Sequence, residues 1–266
     1  MTDQELVDAL DEVWGSTAAV GAELSEAEWN SPTDCPGWTA QDVLAHVIGI
    51  EETILGHPAP EVDVPDSEHL KNDFARSNEV WVESMRTSAG ADVLARFSTV
   101  TGERLAGLRA LDATGFDADS WTPAGRGTVR DLLPFRIFDS WVHEQDIRRA
   151  VEHPGGLDGI GASLALDRCV STMGYVVGKK VAPPEGTTLV FDLGPPLPAR
   201  FGLVIEAGRA VPLDAMPGTP TVTIGTTGET FVRLACGRIG PARADLTIDG
   251  DPALGAAVVA NLNFLF

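Results

Sequence analysis

Cysteine is scarce in this chain, and so is positive charge. There are three cysteines among 266 residues, Cys35, Cys169 and Cys236, with no CxxC pair. An odd number without paired spacing argues against a disulfide framework or a zinc ribbon, and buried free thiols are expected at all three. Lysine occurs only at 71, 179 and 180. Lys plus Arg totals 19 against 39 Asp plus Glu, a formal charge of −20. Such a field repels nucleic acid and anionic membranes, and neither is expected as a partner. No stretch of 18 or more apolar residues lacks charges, so no membrane-spanning helix is expected. The opening segment MTDQELVDALDEVW is acidic and amphipathic, without the basic start and apolar run of a signal peptide, and a cytoplasmic protein is expected.

Hydrophobic residues make up 44% of the chain, enough for a sizeable core. Residues 3–26 place Leu6, Leu10, Val13, Ala18, Val20 and Leu24 at helical spacing. A turn-rich loop, WNSPTDCPGW, follows. Thr39-Ala-Gln-Asp42 then resembles a capping box, with Asp where Glu or Gln is usual, and predicts a helix to about Gly56. His57–Ser67 holds three prolines and reads as a connector. Residues 68–90 and 91–113 give two further helical patterns, and 114–127 a second loop. Thr128-Val-Arg-Asp131 repeats the cap and predicts a helix to about Val151, with Pro134 early in it, where a missing N–H costs least. One more helix is expected over about 159–181.

Texture changes after that point. Eight prolines between 183 and 220 exclude long helices. β-type runs appear at Thr187–Phe191, Phe201–Glu206, Thr219–Ile224 and Ala244–Ile248, with helical stretches at Gly228–Gly237 and Pro252–Leu262. The expected organisation is two domains: an all-α bundle over 1–182 and a small α+β domain over 183–266.

The unusual feature is charge on an apolar face. In RIFDSWVHEQDIRRA, residues Arg136, Asp139, His143 and Asp146 fall within about 80° of one another at 100° per residue. Burying unpaired charge is expensive, so the stripe needs partners. Asp139 and His143, at i and i+4, can share one metal ion. His46, mid-helix among Val43, Gly49 and Ile50, is the best third ligand. Two His and one carboxylate leave a position open, the pattern of a catalytic zinc, though non-haem iron uses the same set. The alternatives at this level are a hydrogen-bonded core histidine at 46 and ordinary intrahelical pairs along 136–143. His57, His69 and His153 fall in loop or edge segments and read as solvated.

The segments CPGWTAQDVLAHVIGIE and GTVRDLLPFRIFDSWVHEQDIRRA resemble the mycothiol-dependent maleylpyruvate isomerase family of the DinB-like metal-binding superfamily. Gly37, Trp38, Asp42 and His46 match its first helix start, and Arg136, Asp139, His143 and Asp146 its second motif. The resemblance implies a DinB-like four-helix bundle followed by a small α+β domain resembling sterol-carrier folds. The closing segment ACGRIGPARADLTIDGDPALG fits that layout, although more weakly. It also implies zinc, or another divalent metal, on His46, Asp139 and His143, with Arg136, Asp42 and Asp146 around it. The best-studied isomerases of the family carry Glu at the position of Asp139, and Asp occurs widely in the wider family, which implies that metal binding survives the change.

A C-terminal arginine that reaches the active site is implied too; Arg238 is the best candidate and Arg233 the alternative. The implied cofactor is mycothiol, whose thiolate would add to an electrophilic small-molecule substrate, as a cis–trans isomerase or a thiol S-transferase. Cys35, near the motif loop, reads as structural. Two rival functions remain: a non-catalytic metal-containing binding protein, and a zinc–water hydrolase with Asp42, Asp146 or Glu144 as base.

Overall fold

The structure is a computed structural model, and it describes residues 1–67 and 70–265. The chain folds into two compact units, one from Met1 to Gly156 and the other from Leu157 onward. The first unit is helical, with helices α1 (Asp3–Glu23), α2 (Glu26–Trp29), α3 (Ala40–Ile54), α4 (Asp73–Met85), α5 (Gly90–Arg109), α6 (Ala113–Phe116) and α7 (Val129–Ala150). Helices α1, α5, α3 and α7 pack in a ring, each against the next, and α4 lies against α3. Their apolar stripes meet inside. Leu10, Val13, Leu44, Ile48, Val93, Phe97, Leu133 and Ile137 are all nearly or wholly buried.

Capping fixes where these helices begin. Thr39 accepts from the Asp42 N–H, and the Asp42 carboxylate accepts from the Thr39 N–H at 2.9 Å, so Asp completes the box as well as Glu would. Thr128 and Asp131 do the same for α7. Gly49 has a different task. A Cβ there would lie 2.4 Å from Trp81 Cβ, so only glycine lets α3 approach α4 this closely.

Some expectations need correction. Pro134 lies five residues past Val129, beyond the first turn of α7, so the Arg130 carbonyl loses its N–H partner. The expected loop at 114–127 contains most of α6 and most of an antiparallel hairpin, β1 (Asp119–Thr122) and β2 (Gly125–Thr128). The pattern beginning at 68 becomes α4 only from Asp73; residues 68 and 69, and with them the reading of His69 as solvated, lie outside the described residues.

In the second unit, α8 (Ile160–Tyr175) runs into a π-helical turn, Val176–Val181. Five strands follow: β3 (Thr188–Gly194), β4 (Ala199–Glu206), β5 (Arg209–Pro212), β6 (Val222–Thr227) and β7 (Leu246–Gly250). They form one sheet in the order β5-β4-β3-β6-β7. Only β3 and β6 are parallel, pairing Leu189 with Val222 and Phe191 with Ile224. Helices α9 (Gly228–Ala235) and α10 (Pro252–Ala260) pack on the sheet. Phe191, Phe201 and Phe231 cluster between sheet and α9, with ring centroids 4.7–5.9 Å apart. The texture change at 182 and the packing division at 156 differ because α8 packs against β5 and α9. A helical pattern shows where a helix is, not which unit it joins.

Candidate metal centre

Helix α3 presents His46 and α7 presents Asp139 and His143, and packing of α3 against α7 brings them together. His46 Nε2 lies 3.8 Å from Asp139 Oδ2, and His143 Nε2 lies 3.6 Å from Asp139 Oδ1. One donor atom from each of the three falls within 4.8 Å of the others. A tetrahedral ion with bonds of about 2.0–2.1 Å needs donors about 3.4 Å apart. The two spacings to Asp139 are close to that value and all three donor atoms lie within 4.8 Å, so side-chain rotation would bring them onto one divalent ion. Both imidazoles are buried, whereas the Asp139 side chain is 31% exposed, so solvent reaches the cluster beside the acid.

The electrostatics favour ligation. Burial pushes the His46 pKa down, with Asp139 opposing it and the charges of His143 and Arg136 adding to it, so the neutral ring, the form that ligates a metal, is favoured. Burial alone would raise the Asp139 pKa. Arg136, His143 and His46 outweigh that and hold it well below the usual carboxylate range. Asp139 is therefore ionised at neutral pH. Asp146 Oδ2 sits 3.1 Å from His143 Nδ1 and accepts a hydrogen bond from its N–H, which leaves the Nε2 lone pair on the side of Asp139. Asp146 is held in turn by Arg149 at 2.7 Å and by the Cys35 thiol at 3.2 Å. Cys35, His143 and Asp146 form a second trio of donors. Its geometry is that of an orienting carboxylate with hydrogen-bonding neighbours.

Arg136 donates from Nη1 to Asp139 Oδ2 at 2.8 Å and from Nε to Glu51 Oε1 at 2.6 Å. Glu51 is fully buried and was not recognised in the sequence. The signal was available: Glu51 continues the stripe of Leu44 and Ile48, the most buried face of α3. Trp38 closes one side, its ring 5.1 Å from that of His46 and 6.4 Å from that of His143.

Asp42 does not join the cluster. It caps α3 and pairs with Arg86 at 2.8 Å. Glu144 is committed elsewhere too, to Ser16 at 2.6 Å and Arg148 at 2.7 Å, and burial raises its pKa. His57 pairs with Glu52 and His153 lies 3.5 Å from Glu23, both at the surface. In the second unit, α9 ends in a Schellman turn. Gly237 takes φ +70°, the Arg238 N–H bonds the Arg233 carbonyl at 2.8 Å, and Arg238 Nη1 donates to the Cys236 carbonyl at 3.1 Å. Arg233 belongs to the last turn of α9 itself.

A family model described as the mycothiol maleylpyruvate isomerase N-terminal domain matches residues 10–148, more than half of the chain. The chain belongs to the mycothiol maleylpyruvate isomerase family. This is a family of enzymes, and a second model, the MDMPI C-terminal domain, matches residues 163–257. Among solved structures, a mycothiol-dependent maleylpyruvate isomerase is similar over 94% of this chain and 93% of its own, at 15% identity and a TM-score of 0.57. A histidine-to-alanine variant of that isomerase matches over 93% of each chain, at 15% identity and a TM-score of 0.54. At such identity the likeness speaks for the two-unit fold. No curated protein sequence matches the chain.

Proposed function

We propose that this protein is a metal-dependent enzyme that activates a low-molecular-weight thiol, mycothiol, for addition to an electrophilic substrate. The observation that carries the reading is the trio His46, Asp139 and His143, gathered inside the region that matches a mycothiol isomerase family model. A zinc ion bound there, with a position open to solvent, would lower the pKa of a thiol entering that position. The chain's own residues prepare this. Burial keeps His46 neutral, Asp146 fixes the tautomer of His143, and Arg136 keeps Asp139 anionic. The thiolate then adds to an activated alkene, forming a C–S bond while the π electrons move to the neighbouring carbonyl. Rotation and elimination return the trans alkene and the thiolate; protonation instead leaves an S-conjugate. Both isomerase and S-transferase chemistry follow from one site.

By resemblance, Arg238 binds an anionic group of substrate or thiol, with Arg233 next in line. The three acids weighed as bases for a hydrolase are each committed: Asp42 to Arg86, Asp146 to His143 and Glu144 to Arg148. The proposal is tested with zinc-loaded protein, mycothiol and a panel of unsaturated carbonyl and halide electrophiles. X-ray absorption should show a zinc–sulfur distance of about 2.3 Å on adding mycothiol, and product should form only when both metal and thiol are present. Turnover without thiol would overturn it.

A further inference from the structure

Helix α3 contributes two groups to the centre, five residues apart: His46 and the wholly buried Glu51. Glu51 touches no candidate ligand. Its Oε1 accepts from Arg136 Nε at 2.6 Å, and its Oε2 lies 3.3 Å from Arg104 Nε of α5. Arg136 spans the remaining distance to Asp139 Oδ2. Three helices thus meet in a chain of alternating charge that runs Arg104, Glu51, Arg136, Asp139. Resting on the metal reading above, we propose that Glu51 is a positioning residue for the metal centre, acting through Arg136 to present Asp139 as a one-oxygen ligand.

The reasoning is geometric and then electrostatic. A free aspartate can bind an ion through either or both oxygens. Here Oδ2, 3.8 Å from His46 Nε2, already carries the Arg136 hydrogen bond, while Oδ1 faces His143 Nε2 at 3.6 Å. Arg136 has a flexible stem and sits only one turn from Asp139 on the same helix. It is its anchorage at Nε by a carboxylate on a different helix that fixes the guanidinium plane. Glu51 also balances charge. Without it, Arg136 and Arg104 would place two buried positive charges near a divalent cation with the acid they share removed. A purely structural role, tying α3 to α5 and α7, predicts lost stability and nothing else.

Two variants separate these roles, Glu51→Gln and Arg104→Met. Each removes the Glu51–Arg104 ion pair, but only the first disturbs Arg136. Cobalt(II) is the probe, with affinity read by chelator competition and coordination by visible absorption. Glu51→Gln should weaken cobalt binding at least about tenfold and lower the band intensity, as a second Asp139 oxygen or a water raises the coordination number. Arg104→Met should melt earlier yet keep affinity within about twofold and an unchanged spectrum. The proposal is overturned if Glu51→Gln keeps both, or if Arg104→Met shifts both as far. Should Glu51→Gln fail to fold, the Glu51→Gln/Arg104→Met double variant removes one buried acid and one buried base together, and it must reproduce the spectral change. If unaltered protein binds no cobalt, the metal reading itself has failed, a distinct outcome.

Discussion

Asp139 holds two positions at once, as candidate ligand and as ion-pair partner of Arg136. Substitutions separate them. Asp139→Glu should retain about one divalent ion per chain by elemental analysis, whereas Asp139→Asn, with the shape kept and the charge gone, should bind at least about tenfold more weakly in chelator competition; equal affinity would leave Asp139 as an ion-pair partner alone. His46 gives the protein a pH signature. Its folded pKa lies below the ordinary 6.5 because burial disfavours the charged ring. The unfolded chain then takes up the proton first. Metal-free stability from this group is therefore complete above about pH 6.5 and is lost as pH falls from there toward the folded pKa. Urea unfolding across that range should show the slope in the parent protein and a shallower one in His46→Gln. Arg238 is tested by kinetics. A cation near the end of α9 contributes about 0.3–1 kcal/mol through the helix dipole and leaves turnover unchanged. A substrate-binding arginine lowers kcat/KM at least about tenfold in Arg238→Ala with the metal intact.

At the scale of elements, the caps and close approaches carry much of the specification. Gly49→Ala sets a methyl group against Trp81 and should cost about 1–3 kcal/mol; an unchanged denaturant midpoint would mean that α4 moves aside freely. Helices α3 and α7 were legible because each opens on Thr-x-x-Asp and holds a continuous stripe. The candidate trio was legible because Asp139 and His143 interrupt an apolar face at i and i+4 on α7, and His46 interrupts another on α3. Glu51 escaped notice because a Glu-Glu pair near a helix end also suits solvent, and its partners Arg104 and Arg136 lie on other helices. The hairpin β1–β2 and the strand β5 were hidden by glycine and proline. Their pairing partners, not their propensities, make them strands. The π-helical turn after α8 has no pattern that distinguishes it from a continuing α-helix.

At the scale of the whole molecule, the candidate ligands come from two helices far apart in sequence, at 46 and at 139 and 143. An unfolded chain offers no such trio, so an ion held as proposed would bind the native state and stabilise it by mass action, by about 2.7 kcal/mol at a hundredfold excess over Kd. The side chains around the trio already hold it without the ion, through Arg136 on Asp139 and Asp146 on His143. This sets an order of events in the life of the chain. On the ribosome, His46 emerges long before its two companions, and the ion has nothing to organise until α3 and α7 have docked. Metallation would then be a late step performed on a finished scaffold. Refolding rates should be the same with and without zinc, while the melting temperature climbs with the logarithm of zinc concentration. A cell short of metal would hold a stock of assembled, inactive protein, ready to start work on the arrival of the ion with no new synthesis.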